Sequence, residues 1–164
     1  MANIIGAELP HDLLAALSAG DLASKHNRVV QIVTVGREGW PSTAMLSYTD
    51  VVARDEKTLH LATWADGECA TDLRQTGRLA VLVIDYDMAY YIRGSAEEVT
   101  GVGDDLMDVN QQGAQSSLAF FRIRVEQVLE DRVPTAKVLS GVTFEAADIE
   151  EQTHSEVLRR LLNL

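Results

Sequence analysis

The chain has 164 residues, 46% of them hydrophobic, enough for one sizeable core and little more, so a single domain over residues 1–164 is expected. Fourteen Lys and Arg against 25 Asp and Glu give a net charge of −11, and no run of Lys or Arg interrupts it; such a field repels nucleic acid and anionic membrane. A lone cysteine, Cys69, excludes an internal disulfide, and neither a signal-peptide pattern nor an apolar run near the roughly 20 residues of a membrane span is present, so the expected location is cytoplasmic.

Leu13, Leu14, Leu17 and Leu22 follow Pro10 at near-helical spacing, which predicts a short amphipathic helix within about 10–25, with Gly20 as its break. Val29 to Val35 is β-branched and apolar, Arg37 to Gly39 is a turn signal, and Trp40 to Val52 resumes strand character, so these two segments predict a hairpin. Arg54 to Thr58 reads as the next turn and Leu59 to Trp64 as a third strand. A helix is predicted from about Asp66 to Thr76, with Thr63 or Asp66 as its cap and Gly77 as its end.

The run "RLAVLVI" lacks alternation, which predicts a strand covered on both faces, central in a sheet or facing a partner subunit. "AYYIRGSAEEV" predicts a fifth strand in which Gly94 marks a bulge or a close backbone approach. Thr100 to Ser117 is polar, read as loop with a helix near Asp104 to Gln112. In "LAFFRIRVEQVL" Phe121, Ile123 and Val125 alternate with Arg122, Arg124 and Glu126, a half-exposed sixth strand. Ile149, Val157, Leu158, Leu161 and Leu162 predict an amphipathic helix over about 146–163.

Antiparallel strands with one helix between the third and fourth imply a closed or nearly closed barrel, because closure removes exposed edges. The order "VVQIVTVGREGWPSTAML", "TLHLATWADGECATDLRQTGRLAVLVID", "YYIRGSAEEV" resembles the pyridoxamine 5'-phosphate oxidase-like, FMN-binding split-barrel proteins over roughly Asn27 to Val99, with an echo in "FFRIRVEQV". The resemblance implies a mainly β fold, a six-stranded antiparallel split barrel of Greek-key type with a few flanking helices and a core over about 27–130. It also implies a homodimer with FMN in a cleft between subunits. Met45, Leu46 and Ser47 would flank the flavin ring, and Ala62, Thr63, Trp64 and Ala65, with Glu68 and Cys69 at the helix start, would line the cleft. In the oxidases the FMN phosphate is gripped by basic residues at four places, where this chain has Ala44, Thr49, Glu68 and Cys69. The bases left nearby are Arg74, Arg78 and Arg93.

Read for their own chemistry, these residues are sparing. Trp64 offers a π face for a planar ligand, but a Trp at a strand end more often fills a core edge or a dimer seam. Cys69 at a helix start invites a lowered pKa, yet the neighbouring acids oppose a thiolate. His11, His26, His60 and His154 lie apart, without zinc-site spacing, so no metal is expected. Three functions stay open: an FMN-dependent oxidoreductase, a non-catalytic module binding another planar ligand such as a deazaflavin or haem, and a cofactor-free structural dimer.

Overall fold

The computed structural model describes residues 1–25, 27–101, 107–109, 115–132, 134–145 and 150–164. The hairpin of β2 (Val29–Val35) and β3 (Pro41–Ser47) turns at Gly36–Gly39, where Gly39 takes φ 84° and its N–H reaches the Gly36 carbonyl at 3.0 Å. The segment expected as one strand, Trp40 to Val52, divides. A 3-10 turn at Tyr48–Asp50 separates β3 from β4 (Val51–Asp55), and β4 pairs with β5 (Thr58–Trp64). Ser47 enforces the break: its hydroxyl accepts the Thr49 N–H while Asp50 accepts the Ser47 N–H at 2.9 Å, a reciprocal capping box.

Helix α3 (Glu68–Thr76) leads to β6 (Arg78–Asp85), β7 (Met88–Glu98) and the long β9 (Gln115–Glu130). The hydrogen-bonded order is β3-β2-β6-β7-β9-β5-β4, antiparallel throughout. Its two edge strands are joined by only three residues. Seven strands laid flat at about 4.8 Å spacing would hold the edges roughly 29 Å apart, whereas Ser47 to Val51 spans at most about 14 Å. The sheet must therefore curl into a half-barrel, the split barrel that the strand pattern predicts.

Strand β6 lies between β2 and β7, with Leu79, Val81 and Val83 in the core and Ala80, Leu82 and Ile84 half-buried on the outer face. Gly94 sits at a register shift between β7 and β9. A Cβ there would stand 2.5 Å from the Arg124 carbonyl oxygen, so the expected bulge and close approach occur together. In β9 Phe121, Ile123 and Val125 are buried and Arg122, Arg124 and Glu126 are exposed, as the alternation requires. Two short strands extend the pairing of β9: β1 (Asn3–Gly6) and β8 (Met107–Val109). The latter replaces helix with strand at the centre of the expected Asp104 to Gln112 segment, whose other residues lie outside those described.

At the N-terminus, α1 (His11–Leu17) starts after Pro10 and buries Leu13 and Leu17 completely, about 3 to 6 kcal/mol of apolar transfer. It ends at Ser18, and Gly20 falls inside the four-residue α2 (Ala19–Leu22) rather than breaking a longer helix. Helix α4 (Glu150–Leu162) packs Val157 and Leu161 over the 3-10 turn, β4 and β5; the expected start at 146–149 lies outside the described residues. No helix among the described residues is long and apolar enough to cross a membrane.

His60 fastens α4 to the sheet. Its Nδ1 lies 2.7 Å from the Leu161 carbonyl oxygen, which can only accept, so this nitrogen carries the proton. Burial holds the imidazole pKa below its ordinary value; Arg122 and Arg54 push the same way, against the Leu161 carbonyl and Asp55. A depressed histidine pKa means that the unfolded chain takes up the proton first. Stability is then full above about pH 6.5, falls as pH drops below it, and levels off once pH passes the folded value. The unfolding free energy from urea titrations should decline between pH 7.5 and 5.5, by up to about 1.4 kcal/mol per pH unit. His60→Asn, which keeps a donor near the Nδ1 position without titrating, should show a flatter profile than the wild type.

Candidate functional site

Helix α3 packs within the curl of the sheet, against β2, β3, β5 and β7. Three bonds strap this helix to the end of β2. Buried Asp72 accepts the Thr34 hydroxyl at 2.8 Å, Gln75 accepts the Arg37 N–H at 3.2 Å, and the Thr76 hydroxyl reaches the Val35 carbonyl at 2.7 Å. Gly36 has to be small here, because a Cβ would stand 2.7 Å from the Asp72 carboxylate. The helix ends on Gly77 at φ 64°, the left-handed cap that its sequence predicts.

Its beginning differs from expectation. Gly67 occupies the cap position with no side-chain bond, and neither Thr63 nor Asp66 caps the helix. The physical reason is the tight turn after β5. The Gly67 N–H bonds back to the Trp64 carbonyl at 3.1 Å, and the inward-facing Thr63 side chain is engaged with the Cys69 thiol. Among the described residues no side chain accepts from the first-turn N–H groups of α3. Thr71, a further hydroxyl near this end, donates to the Gly67 carbonyl at 3.0 Å.

The sequence-predicted site residues divide between two faces, as strand alternation dictates. Met45 stands on the outer face of β3 opposite Gln31, 70% exposed, whereas Leu46, opposite Val30, turns toward the core. Ser47 is buried in its capping box. Ala62 and Thr63 are buried on opposite sides of β5, Trp64 at the strand end is 43% exposed, and Ala65 is half-buried. Glu68 is exposed and Cys69 buried. The structure thus brings Thr63 to Cys69, and Ala65 to Arg74, whose Nη1 donates to the Ala65 carbonyl at 2.5 Å.

None of Ala44, Thr49, Glu68 and Cys69, the positions where the resemblance expects bases, offers a cation. Ala44 is half-buried against the core and Thr49, 2% exposed, donates its hydroxyl to Ser47 at 3.0 Å. Glu68 is itself anionic, and burial pushes the Cys69 thiol above its ordinary pKa; Thr63 opposes that shift and the Asp72 charge adds to it. Arg74, the base on α3, is taken by a two-pronged pair with Glu98 at 2.8 and 2.6 Å, each charge holding the other ionised. Sequence gave no hint of this pair, since 24 residues separate its members. Among the described residues no three His, Cys, Asp or Glu are gathered to hold a metal.

A curled antiparallel half-barrel with one helix packed within its curl is a split-barrel architecture. The pyridoxamine 5'-phosphate oxidase family model matches residues 22–131, more than half of the chain, and the chain belongs to that family. The protein YclD of Bacillus subtilis strain 168, uncharacterized, is 24% identical over 139 residues, covering 85% of this chain and 84% of its own. Two crystal structures share the fold at 16% identity. One, from Lactobacillus delbrueckii, is assigned to the pyridoxamine 5'-phosphate oxidases and superposes with a TM-score of 0.56 over 78% of this chain and 98% of its own. The other, a point variant of HupZ from Group A Streptococcus, gives 0.53 over 75% and 99%.

Because the Cys69 thiol is buried and held protonated, thiol reagents should leave the native protein unlabelled at pH 7.5 and modify one equivalent after unfolding in urea. Stoichiometric labelling of the folded chain within minutes would contradict this environment.

Proposed function

We propose that the chain is a binding protein for a planar, flavin-class ligand, which it holds by its ring in the cleft beside Trp64 and the start of α3, at the seam of a homodimer. The observation that carries this reading is the pairing of a half-exposed Trp64 with a helix start that no side chain caps and beside which Arg74 is already engaged by Glu98 and the Ala65 carbonyl. An aromatic face and first-turn N–H groups that no side chain takes suit the carbonyl-rich edge of a flavin ring. They do not suit a phosphate dianion, which gains about 1.5 to 3 kcal/mol from each charge-assisted bond and would meet Glu68 instead. The residues present therefore fit the ring of FMN and not its phosphate. Redox chemistry, as in an FMN-dependent oxidoreductase, would be the bound ring's own; no side-chain acid–base set at this site contributes a step. A deazaflavin or haem would meet the same apolar, uncharged reception.

The dimer is supported by what one protomer leaves uncovered. Met45 and half-buried Leu82 stand in one register row across β3, β2 and β6, with Ile84 beyond. Trp40, 78% exposed, projects from the hairpin end. A two-fold partner would remove this apolar surface from water.

Two measurements test the reading. In parallel titrations FMN and riboflavin should bind within about tenfold of each other, a gap under about 1.4 kcal/mol. Glu68→Arg should then tighten FMN by about 1.5 to 3 kcal/mol while leaving riboflavin nearly unchanged. Glu68 is the position to change because it is exposed, whereas a lysine at Cys69 would have to be buried. Wild-type FMN binding hundreds of times tighter than riboflavin would refute the ring-dominated site. For the dimer, light scattering should report twice the 18.0 kDa chain mass, and Met45→Glu should shift it toward the monomer.

A further inference from the structure

Trp64 is the last residue of β5, so the strand ladder no longer fixes the backbone beyond it. Ala65 takes over that task, held from both sides. Its N–H reaches the Ser117 carbonyl of β9 at 2.9 Å, and its carbonyl accepts Nη1 of Arg74 at 2.5 Å. Gly67 then folds back on the tryptophan. Its N–H meets the Trp64 carbonyl at 3.1 Å, and a Cβ there would stand 3.4 Å from the Trp64 Cβ. The residue after Trp64 is thus clamped between a strand and a helix side chain.

Arg74 can clamp because it is itself oriented. Nε and Nη2 bond the two oxygens of Glu98 at 2.8 and 2.6 Å, and a planar guanidinium with two prongs on one carboxylate has its remaining nitrogen fixed in direction. Glu98 is firmly placed in turn. It ends β7 in register with buried Phe121, and β7 is tied to the end of α3 by the Ala96 N–H on the Gly77 carbonyl at 2.7 Å. The side chains of Arg74 and Glu98 are 38% and 30% exposed, where water screens an ion pair and leaves it little weight in stability. Its geometric effect is the larger one, since it links β7 through α3 to the residue after Trp64.

We propose that Arg74, oriented by Glu98, is a positioning residue of the cleft: by holding the Ala65 carbonyl it sets the direction in which the Trp64 ring meets a ligand. This rests on the reading of Trp64 as the ring-binding face, but the placement of the indole is measurable with no ligand present. Lysine cannot stand in for this arginine, because an ammonium with rotatable donors lacks the planar fork that fixes the direction from carboxylate to carbonyl.

The test uses Trp40→Phe, which leaves Trp64 as the only tryptophan. In this background Arg74→Lys and Glu98→Gln should each raise the acrylamide quenching constant of Trp64 about twofold and lower its fluorescence anisotropy, as a looser ring requires. The urea midpoint should move little and the light-scattering mass should stay the same. Each variant should also weaken riboflavin about tenfold, since a displaced ring face meets its ligand poorly. Arg74→Lys keeps the charge, so quenching equal to that of the background chain would reduce the pair to a surface contact and overturn the proposal. A large fall in urea midpoint with quenching unchanged would overturn it by assigning the pair to stability. A rise in quenching that accompanies a change in mass would do the same, because an opened subunit seam would then expose the indole. So would riboflavin binding that is equal in all variants. Riboflavin that fails to bind even the unaltered chain would sink the ring-binding reading alone, and the quenching comparison would still decide whether Arg74 places the indole.

Discussion

The architecture depends on one short covalent constraint, the three residues Tyr48 to Asp50 between the two edge strands of a seven-strand hydrogen-bonded path. A sheet whose first and last strands are tied so closely cannot lie flat, and the natural twist of strands supplies the direction in which it curls. Closure is nevertheless incomplete, because β3 and β4 share a turn and not a ladder. Helix α3 packs within the curl through Cys69, Ala70, Asp72 and Leu73.

Around that turn the protein spends its buried polar groups on fastening. Arg28 places one guanidinium nitrogen 2.9 and 2.7 Å from the two oxygens of Asp85, and the hydroxyl of buried Tyr48 joins them at 3.3 Å, so the start of β2, the end of β6 and the turn meet at one carboxylate. Burial works to raise the Asp85 pKa, but the Tyr86 N–H, Arg28 and Tyr48 outweigh it and keep the carboxyl below its ordinary value. The same carboxylate pushes the Tyr48 hydroxyl, already raised by burial, far up. A tyrosine so placed is a structural donor. Thr49, where the resemblance expects a base, is buried beside this knot.

Charge is distributed accordingly. Arg74 is spent on Glu98 and Ala65 beside the start of α3, and Arg28 on Asp85. Among the described residues no side chain caps the helix start, where the exposed side chain is the acidic Glu68.

Much of this was written locally. The apolar run at Leu79 to Ile84 set an interior strand, the alternation of Phe121 to Glu126 set a one-sided one, Gly77 ended α3, and Gly94 marked the bulge, because each depends on neighbours within a few residues. Residue order also shows that Ala44, Thr49, Glu68 and Cys69, which stand where the resemblance expects bases, are not basic. What the chain did not declare depends on partners distant in sequence. The break at Ser47 needs a capping box inside a segment that reads as continuous strand. The cap of α3 passes to Gly67 because Thr63 is drawn inward to Cys69. The engagement of Arg74 by Glu98 follows from the packing of α3 against β7. Period and composition determine which residues face inward along each element; only the packing of elements against one another decides which charges meet, because a charge is felt across a few ångströms of space whatever the length of chain between.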